Sequence, residues 1–333
     1  MLRRGELPPR SETLDGMGVT HPRVFYTPGV LIHWHWWFYR KGVERSLARV
    51  VAEFRPDHVI IGFAYPDAVA VSALCRRIGM PYSVRVNGSD FRIRIQQRRF
   101  RQRVLSVLQD APIVFCPGQA LQRDLVVAGV AAQRVVAFNN GIDQALFRQR
   151  TRDEASRDNA GAQMLLPHDG LTVLFVGNLL KVKGPDRLLE AWSRTKKRTS
   201  DRTARLIMIG DGPLRQDLER RAAQLGFGGS VFFLGNRPHA EVARWMNMAD
   251  CLCLPSRSEG MPNVVLEALA SGLPVAAVDV GEVPFLIRNG ENGFAVSRSA
   301  ADVVSELARA LEMCLERSWD RDAIAASVQG FSW

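Results

Sequence analysis

Two carboxylates, Glu259 and Glu267, stand on either side of a Gly-Met-Pro-Asn turn in the stretch SEGMPNVVLEALASGLPV, residues 258–275. Helix-forming residues follow the turn, and Ser-Gly-Leu-Pro stops them. Pro262 is predicted in the first helical turn, where its missing N–H is no loss. The free amides of 261–263, reinforced by the helix macrodipole, attract an anion, and Gly260 lets the backbone come close to it. Phosphate oxygens suit that place. Glu267 lies over one turn further in; it cannot hold phosphate but can accept hydrogen bonds from a sugar diol. Glu259 can do the same for a second sugar. A diphosphate with a sugar on each side is a nucleotide-sugar. Taken alone, such a pair of acids is more simply a capping Glu and a solvated Glu; the whole string is far more specific.

Residues of this kind need rigid elements behind them. From residue 57 the chain alternates short apolar runs with amphipathic stretches. Strands are predicted at 57–63, 81–86, 111–116 and 134–138, with helices at 66–79, 94–110 and 118–129. A polar, unpatterned segment at 149–169 reads as a linker. A second series follows, with strands at 171–177, 204–210, 230–235, 251–254 and 274–278. Its helices open at Pro185, Pro213, Ala240 and Pro262, and a last one spans 300–317. Such βαβ alternation predicts an α/β chain with parallel sheets. We expect two Rossmann-like, doubly wound domains, 1–148 and 170–333, facing across a cleft into which the strand ends point. Residues 1–22 hold neither the opening strand nor the glycine-rich turn of such a domain, and nothing closes the chain at GFSW. The N-terminal domain is therefore expected to be incomplete and the chain truncated at both ends.

Composition narrows the class. The 333 residues are 47% hydrophobic and 23% charged, the balance of a globular protein with two cores. No apolar run has membrane-spanning length, and the basic N-terminus lacks the apolar stretch of a signal peptide. The five cysteines are scattered, and Cys251 and Cys253 read as packing residues in a strand. A reducing, cytoplasmic setting is expected. No acid-rich metal cluster and no Walker-type loop is present, so neither a metal nor ATP is implied. The charge is lopsided: residues 1–150 carry 22 Lys and Arg against 11 Asp and Glu, and the remainder 22 against 23. An anionic partner is expected for the first half alone.

The motifs resemble those of family-4 retaining glycosyltransferases of the GT-B fold. The family pattern of a Glu, seven residues and a second Glu, within Pro-Ser…Glu-Gly-(apolar)-Pro-Asn…Glu-Ala, is matched by PSRSEGMPNVVLEALASGLPV. LFVGNLLKVKGPDRLLEAW, IGDGPLRQDLE, FLGNRPHAEV and FNNGIDQALF match further segments. AYPDAVA and VRVNGSDFR are similar to members that build bacterial surface polysaccharides. The resemblance implies that Glu267 binds ribose hydroxyls, that Glu259 binds the transferred sugar, and that Gly260, Met261, Pro262 and Asn263 frame the diphosphate. It makes Lys183 the cation that neutralises phosphate as the glycosidic bond breaks. It places the donor's base along the strand ends near Gly210–Gly212, which include Asp211, and Gly235–Asn236, counts Gly177 and Asn178 among the donor-binding residues, and puts Asn87 and Asp90 on the catalytic side of the first domain. The donor is then a co-substrate, with no cofactor and no metal. Three departures stand out: Asn178 where many relatives have Arg, Asn87 where many have His, and Glu282 and Phe285 where Gly and Glu are usual.

The first half also carries WHWWFYRK at 34–41, five aromatics in six positions leading into a helix to about 54, and FRIRIQQRRFRQR at 91–103, with six arginines. These are a packed helix start and a solvated face, or an interfacial patch for anionic lipid. No nucleic-acid module is recognisable. The expected activity is transfer of a sugar from a nucleoside diphosphate to a surface polysaccharide or lipid-linked glycan, at the inner face of the plasma membrane. The alternatives are a catalytically impaired nucleotide-sugar-binding remnant and, more remotely, a sugar-nucleotide epimerase.

Overall fold

The computed structural model describes residues 8–25, 31–157, 165, 170–195 and 204–331. It divides into two units, Met1–Phe138 and Asn139–Trp333, ahead of the expected boundary after residue 148. Of the expected linker, 158–164 and 166–169 lie outside the described residues.

The first unit opens with a hairpin of β1 (Ser11–Leu14) and β2 (Met17–Thr20). Asp15 and Gly16 both take positive φ, 49° and 79°, as a two-residue I′-type turn requires. The hairpin is not the opening strand of a doubly wound domain, which the sequence reading does not find in 1–22, because it lies outside the parallel sheet. The signal was the Asp-Gly pair, though the two strands form a sheet of their own. Next come α1 (His35–Phe54), β3 (Val59–Gly62), α2 (Val69–Ile78), β4 (Tyr82–Arg85) and α3 (Ser89–Gln96). The unit closes with α4 (Arg98–Asp110), β5 (Val114–Pro117), α5 (Gln119–Val127) and β6 (Val135–Phe138). The single helix expected at 94–110 is two, because Gln97 is extended at φ −90°, ψ 107°. The parallel sheet runs β3-β4-β5-β6. Ile61, Val84, Val114 and Val135 pair across it as a buried row. Ile60 and Val136, of opposite pleat, are exposed at 67% and 42%.

The second unit contains α6 (Arg152–Arg157), β7 (Leu171–Val176), α7 (Pro185–Thr195), β8 (Ala204–Ile209), α8 (Arg215–Gln224) and β9 (Val231–Gly235). It continues through α9 (His239–Met248), β10 (Cys251–Leu254), α10 (Asn263–Ala270), β11 (Val275–Val278) and α11 (Val283–Leu286). β12 (Gly293–Val296), α12 (Val303–Glu316) and α13 (Arg321–Ala326) complete it. The sheet is parallel throughout, in the order β12-β11-β10-β7-β8-β9. Its strands are near-continuous apolar runs because helices cover both faces. β10 and β11 are buried along their whole length, and Trp192 and Trp245 are sealed beneath α7 and α9. All five cysteines are free and buried, the packing role expected of Cys251 and Cys253. After α13, the turn Gln329–Phe331 returns to the start of the unit, where Ile142 N–H donates to the Phe331 carbonyl at 2.6 Å.

Candidate functional site

The strand order reverses between β7 and β10: β8 and β9 extend one way from β7, while β11 and β12 extend the other from β10. Connections from adjacent strands then leave in opposite directions and open a crevice at their carboxyl ends, where doubly wound sheets bind ligands. The loop after β7 carries Lys183, and the loop after β10 carries Glu259. The two meet there. Lys183 Nζ donates to both Glu259 oxygens, at 2.8 Å each, and Ser256 Oγ donates to Oε1 at 2.6 Å. The Glu259 side chain is only 8% exposed and that of Lys183 34%. An ammonium has three N–H donors. Two face Glu259, which leaves one for an incoming oxygen.

The Lys183 loop is clamped independently of its charge. Arg257 N–H donates to the Val182 carbonyl at 2.8 Å. Gly184 sits at φ 68° with its Cα against Pro255, where a Cβ would fall 2.1 Å from the carbonyl oxygen. Only glycine combines that φ with that approach. Asp186 takes a forked pair from Arg257 at 2.8 and 2.7 Å and a third bond from Lys181 at 2.6 Å. Burial alone would raise the Asp186 pKa, but the bonds from Arg257 and Lys181 overcome it and bring it down to about 2. This pairing therefore stabilises the fold above the ordinary carboxylate pKa, and the contribution is lost as pH falls toward 2. Asp186→Asn is expected to cost about 1.5 kcal/mol, the low end for hydrogen bonds to a charged group, since the cluster is part-exposed. Thermal unfolding at pH 7 and pH 3 checks it: the deficit should narrow at the lower pH.

The helix start expected to take an anion is the 260–264 turn. Pro262 occupies the cap position, at φ −78° and ψ 99°, not the first helical position; α10 starts at Asn263. Having no N–H, Pro262 adds no donor, so the amides of the turn are those of Met261, Asn263 and Val264. Asn140 braces them: its N–H meets the Met261 sulfur at 3.0 Å and its amide donates to Asn263 Oδ1 at 2.7 Å. Glu282 N–H holds the Gly260 carbonyl at 2.9 Å, and Phe285 stays 44% exposed. One turn along, Glu267 is half-buried. Among the described residues its carboxylate has no hydrogen-bond partner. Burial pushes its pKa up, with His239 opposing.

Gly177, Gly210 and Gly235 gather at the ends of β7, β8 and β9. Gly210 N–H donates to the Gly235 carbonyl at 2.9 Å, and a Cβ on Gly210 would lie 1.9 Å from the Gly177 oxygen. Asn178, Asp211 and Asn236 are exposed beside them. In the first unit, Asp90 is a backbone brace. Its oxygens accept from Asn87 N–H at 2.9 Å and Ala64 N–H at 2.8 Å, tying the loops after β4 and β3 together. The Asn87 side chain is half-buried and has no partner among the described residues.

With this geometry in view, residues 156–324 match the family model of glycosyl transferases group 1, and residues 3–146 match that of glycosyltransferase family 4. The chain belongs to the group 1 glycosyl transferases. Similar members include the D-inositol 3-phosphate glycosyltransferase 1 of Catenulispora acidiphila, 35% identical over 201 residues, covering 58% of this chain and 47% of that protein. The putative teichuronic acid biosynthesis glycosyltransferase TuaC of Bacillus subtilis is 24% identical over 315 residues, covering 92% and 74%. The chain spans about half the length of the D-inositol 3-phosphate relatives it matches. Among solved structures, Anabaena HepE in complex with UDP superposes with a TM-score of 0.73 at 20% identity, covering 87% of this chain and 78% of that one. Sucrose-phosphate synthase from Thermosynechococcus elongatus gives 0.78 at 20% identity, covering 98% and 82%. The fold is thus that of GT-B glycosyltransferases, each unit Rossmann-like. Sequence reasoning missed Ser256, Asn140 and the Asp186–Arg257 clamp among the site's residues. Ser256 and Asn140 lie inside the PSRSEGMPN and FNNGIDQALF strings. The clamp joins residues 71 positions apart and had no local signal.

Proposed function

We propose that the chain is a retaining, metal-independent glycosyltransferase that moves a sugar from a nucleoside diphosphate to a surface polysaccharide or lipid-linked glycan. The observation that carries this reading is the Lys183–Glu259 pair at the β7/β10 reversal, beside a helix start and a Glu267 with no hydrogen-bond partner among the described residues. The diphosphate would lie on the amides of Met261, Asn263 and Val264, with the third Lys183 donor on a phosphate oxygen. Glu267 would take the ribose diol and Glu259 the hydroxyls of the transferred sugar. The base would lie along Gly177, Asn178, Gly210, Asp211, Gly235 and Asn236.

As the glycosidic bond lengthens, charge accumulates on the diphosphate and an oxocarbenium-like sugar forms. Fixed donors stabilise that charge without reorganising. The acceptor hydroxyl would attack from the leaving-group face, its proton passing to a departing phosphate oxygen. Asn87, whose side chain has no partner among the described residues, would hold a sugar hydroxyl, and Asp90 would set the loop that presents it. UDP is the first nucleotide to try, since HepE is solved with UDP and with UDP-glucose.

The test is transfer of labelled sugar from a panel of UDP- and GDP-sugars into membrane extract, with and without EDTA. Transfer that survives EDTA and preserves the anomeric configuration supports the reading. Binding without transfer would favour an impaired remnant, a rival motivated by Asn178 and Asn87 standing where relatives have Arg and His. An isomerised, released nucleotide-sugar would favour an epimerase.

Membrane docking is proposed for the first unit. No helix among the described residues is long and apolar enough to cross a membrane. Trp34 and Trp37 at the start of α1 are 47% and 39% exposed, and Arg103 stacks over Trp36 at 5.6 Å. Each exposed arginine near an anionic surface contributes about 1 kcal/mol. Arg→Gln at Arg98, Arg99 and Arg101 together is therefore expected to weaken sedimentation with phosphatidylglycerol vesicles. Unchanged sedimentation would leave a solvated helix face.

A further inference from the structure

A second concentration of positive charge lies elsewhere in the first unit, away from the arginines of α4. Between the β1–β2 hairpin and α1 is a cavity of about 550 Å³ lined by Arg10, His21, Arg23, Lys41, Arg45 and Arg49. Its volume falls within the roughly 300–1,000 Å³ of small-molecule pockets. Lys41, Arg45 and Arg49 recur every four residues and so share one face of α1, where like charges at this spacing weaken a helix. Arg10 and Arg23 oppose that face from either side of the hairpin.

The cavity is built, not a chance gathering of side chains. Gly42, mid-helix, lets the chain after the hairpin lie directly on α1: a Cβ there would fall 2.9 Å from both the Arg23 carbonyl oxygen and a Val24 methyl. A glycine inside a helix is unfavourable unless such an approach needs it. His21 N–H donates to the Arg10 carbonyl at 2.8 Å, fixing the hairpin's open end beside the helix.

Little of the charge is neutralised. Glu12 pairs with His21 at 2.7 Å, and Glu44, outside the lining, pairs with Arg77 at 2.6 Å and more loosely with Lys41 at 3.8 Å. Among the described residues, no carboxylate lies within 4.0 Å of Arg10, Arg23, Arg45 or Arg49. Ser11, Thr20 and Ser46 add hydroxyl donors to the same walls. Planar guanidinium forks from two elements, with hydroxyls between them, match the several oxygens of a phosphate or diphosphate group.

We propose that this cavity is an anion site for a phosphate-bearing ligand, separate from the donor site of the second unit and independent of that reading. The phosphate can come from a soluble phosphorylated molecule or a lipid headgroup, and two arms separate the sources. Inorganic pyrophosphate is titrated by calorimetry into the full chain and into Arg45→Gln/Arg49→Gln. The same proteins are sedimented with phosphatidylglycerol–phosphatidylcholine vesicles. Arg220→Gln/Arg288→Gln, an equal change of charge at side chains 75% and 68% exposed in the second unit, is the control.

We expect the Arg45/Arg49 variant to bind one equivalent of pyrophosphate at least tenfold more weakly, and the control to stay within twofold of the wild type. That outcome identifies a soluble phosphate ligand. Loss of vesicle binding in the Arg45/Arg49 variant alone, with no pyrophosphate difference, identifies a lipid headgroup. Equal behaviour of variant and wild type in both arms, or equal losses in variant and control, would overturn the site. Any pyrophosphate on the 260–264 turn is common to all three proteins and cancels, so failure here is distinct from failure of the donor site.

Discussion

Lys183→Met is expected to lower kcat for sugar transfer by about 10²–10³, the effect of removing one preorganised donor from a developing oxyanion, about 3–4 kcal/mol. The loss should fall on kcat more than on UDP affinity, because the charge that Lys183 meets grows only as the bond breaks. A second effect must be separated from this one. Glu259 is 8% exposed and takes both its oxygens to the ammonium, so the methionine leaves a buried carboxylate without its counter-ion. Breaking one side of a fully buried pair costs about 3–5 kcal/mol. Here the lysine is 34% exposed, and the loss should be smaller. Adding Glu259→Gln to Lys183→Met should therefore recover thermal stability without recovering the rate. A double variant that regains both would reduce Lys183 to a structural ion pair, and a single variant within threefold of wild-type kcat would remove it from the chemistry.

The scaffold was legible because its signals are local. The sequence pattern predicts every parallel strand from 57 to 278 to within three residues at either end. Buried parallel strands are continuous apolar runs, and the glycines and prolines between them punctuate the chain. What escaped lacked such contrast. β12 is four residues after an Asn-Gly turn, and α11 is one turn long. The β1–β2 hairpin announces itself only by Asp15-Gly16. The break at Gln97 is invisible in a segment whose arginines suit a helix on either side.

The site divides the same way. Glu259, Glu267 and the 260–263 turn are carried by one contiguous string and could be read directly. The pairing of Lys183 with Glu259 across 76 positions requires the β7/β10 reversal, which no window of sequence displays. The string predicts Pro262 one position too far into the helix. At its observed ψ of 99° it is a cap, so the amides proposed for the diphosphate include that of Val264.

Glu267→Ala is expected to weaken UDP binding by about 3 kcal/mol, roughly 100-fold, from two charge-assisted hydrogen bonds to the ribose diol at about 1.5 kcal/mol each. The free protein should respond in the opposite sense to loss of this charge. Burial raises the Glu267 pKa above its ordinary value, so the native state holds that proton more tightly than the unfolded chain does. Such a group stabilises the fold when protonated, and the contribution disappears as pH rises through the folded pKa. When ionised, a carboxylate with no hydrogen-bond partner among the described residues is a burden that two ribose hydroxyls would relieve. Glu267→Gln should therefore melt higher than wild type at pH 7 without nucleotide, and the gap should close as pH falls below the Glu267 pKa. Wild-type UDP affinity should drop over that same interval beyond whatever fall Glu267→Ala shows from protonation of the diphosphate itself. If Glu267→Gln melts lower at pH 7 and UDP binds undiminished, the carboxylate serves packing and the ribose lies elsewhere.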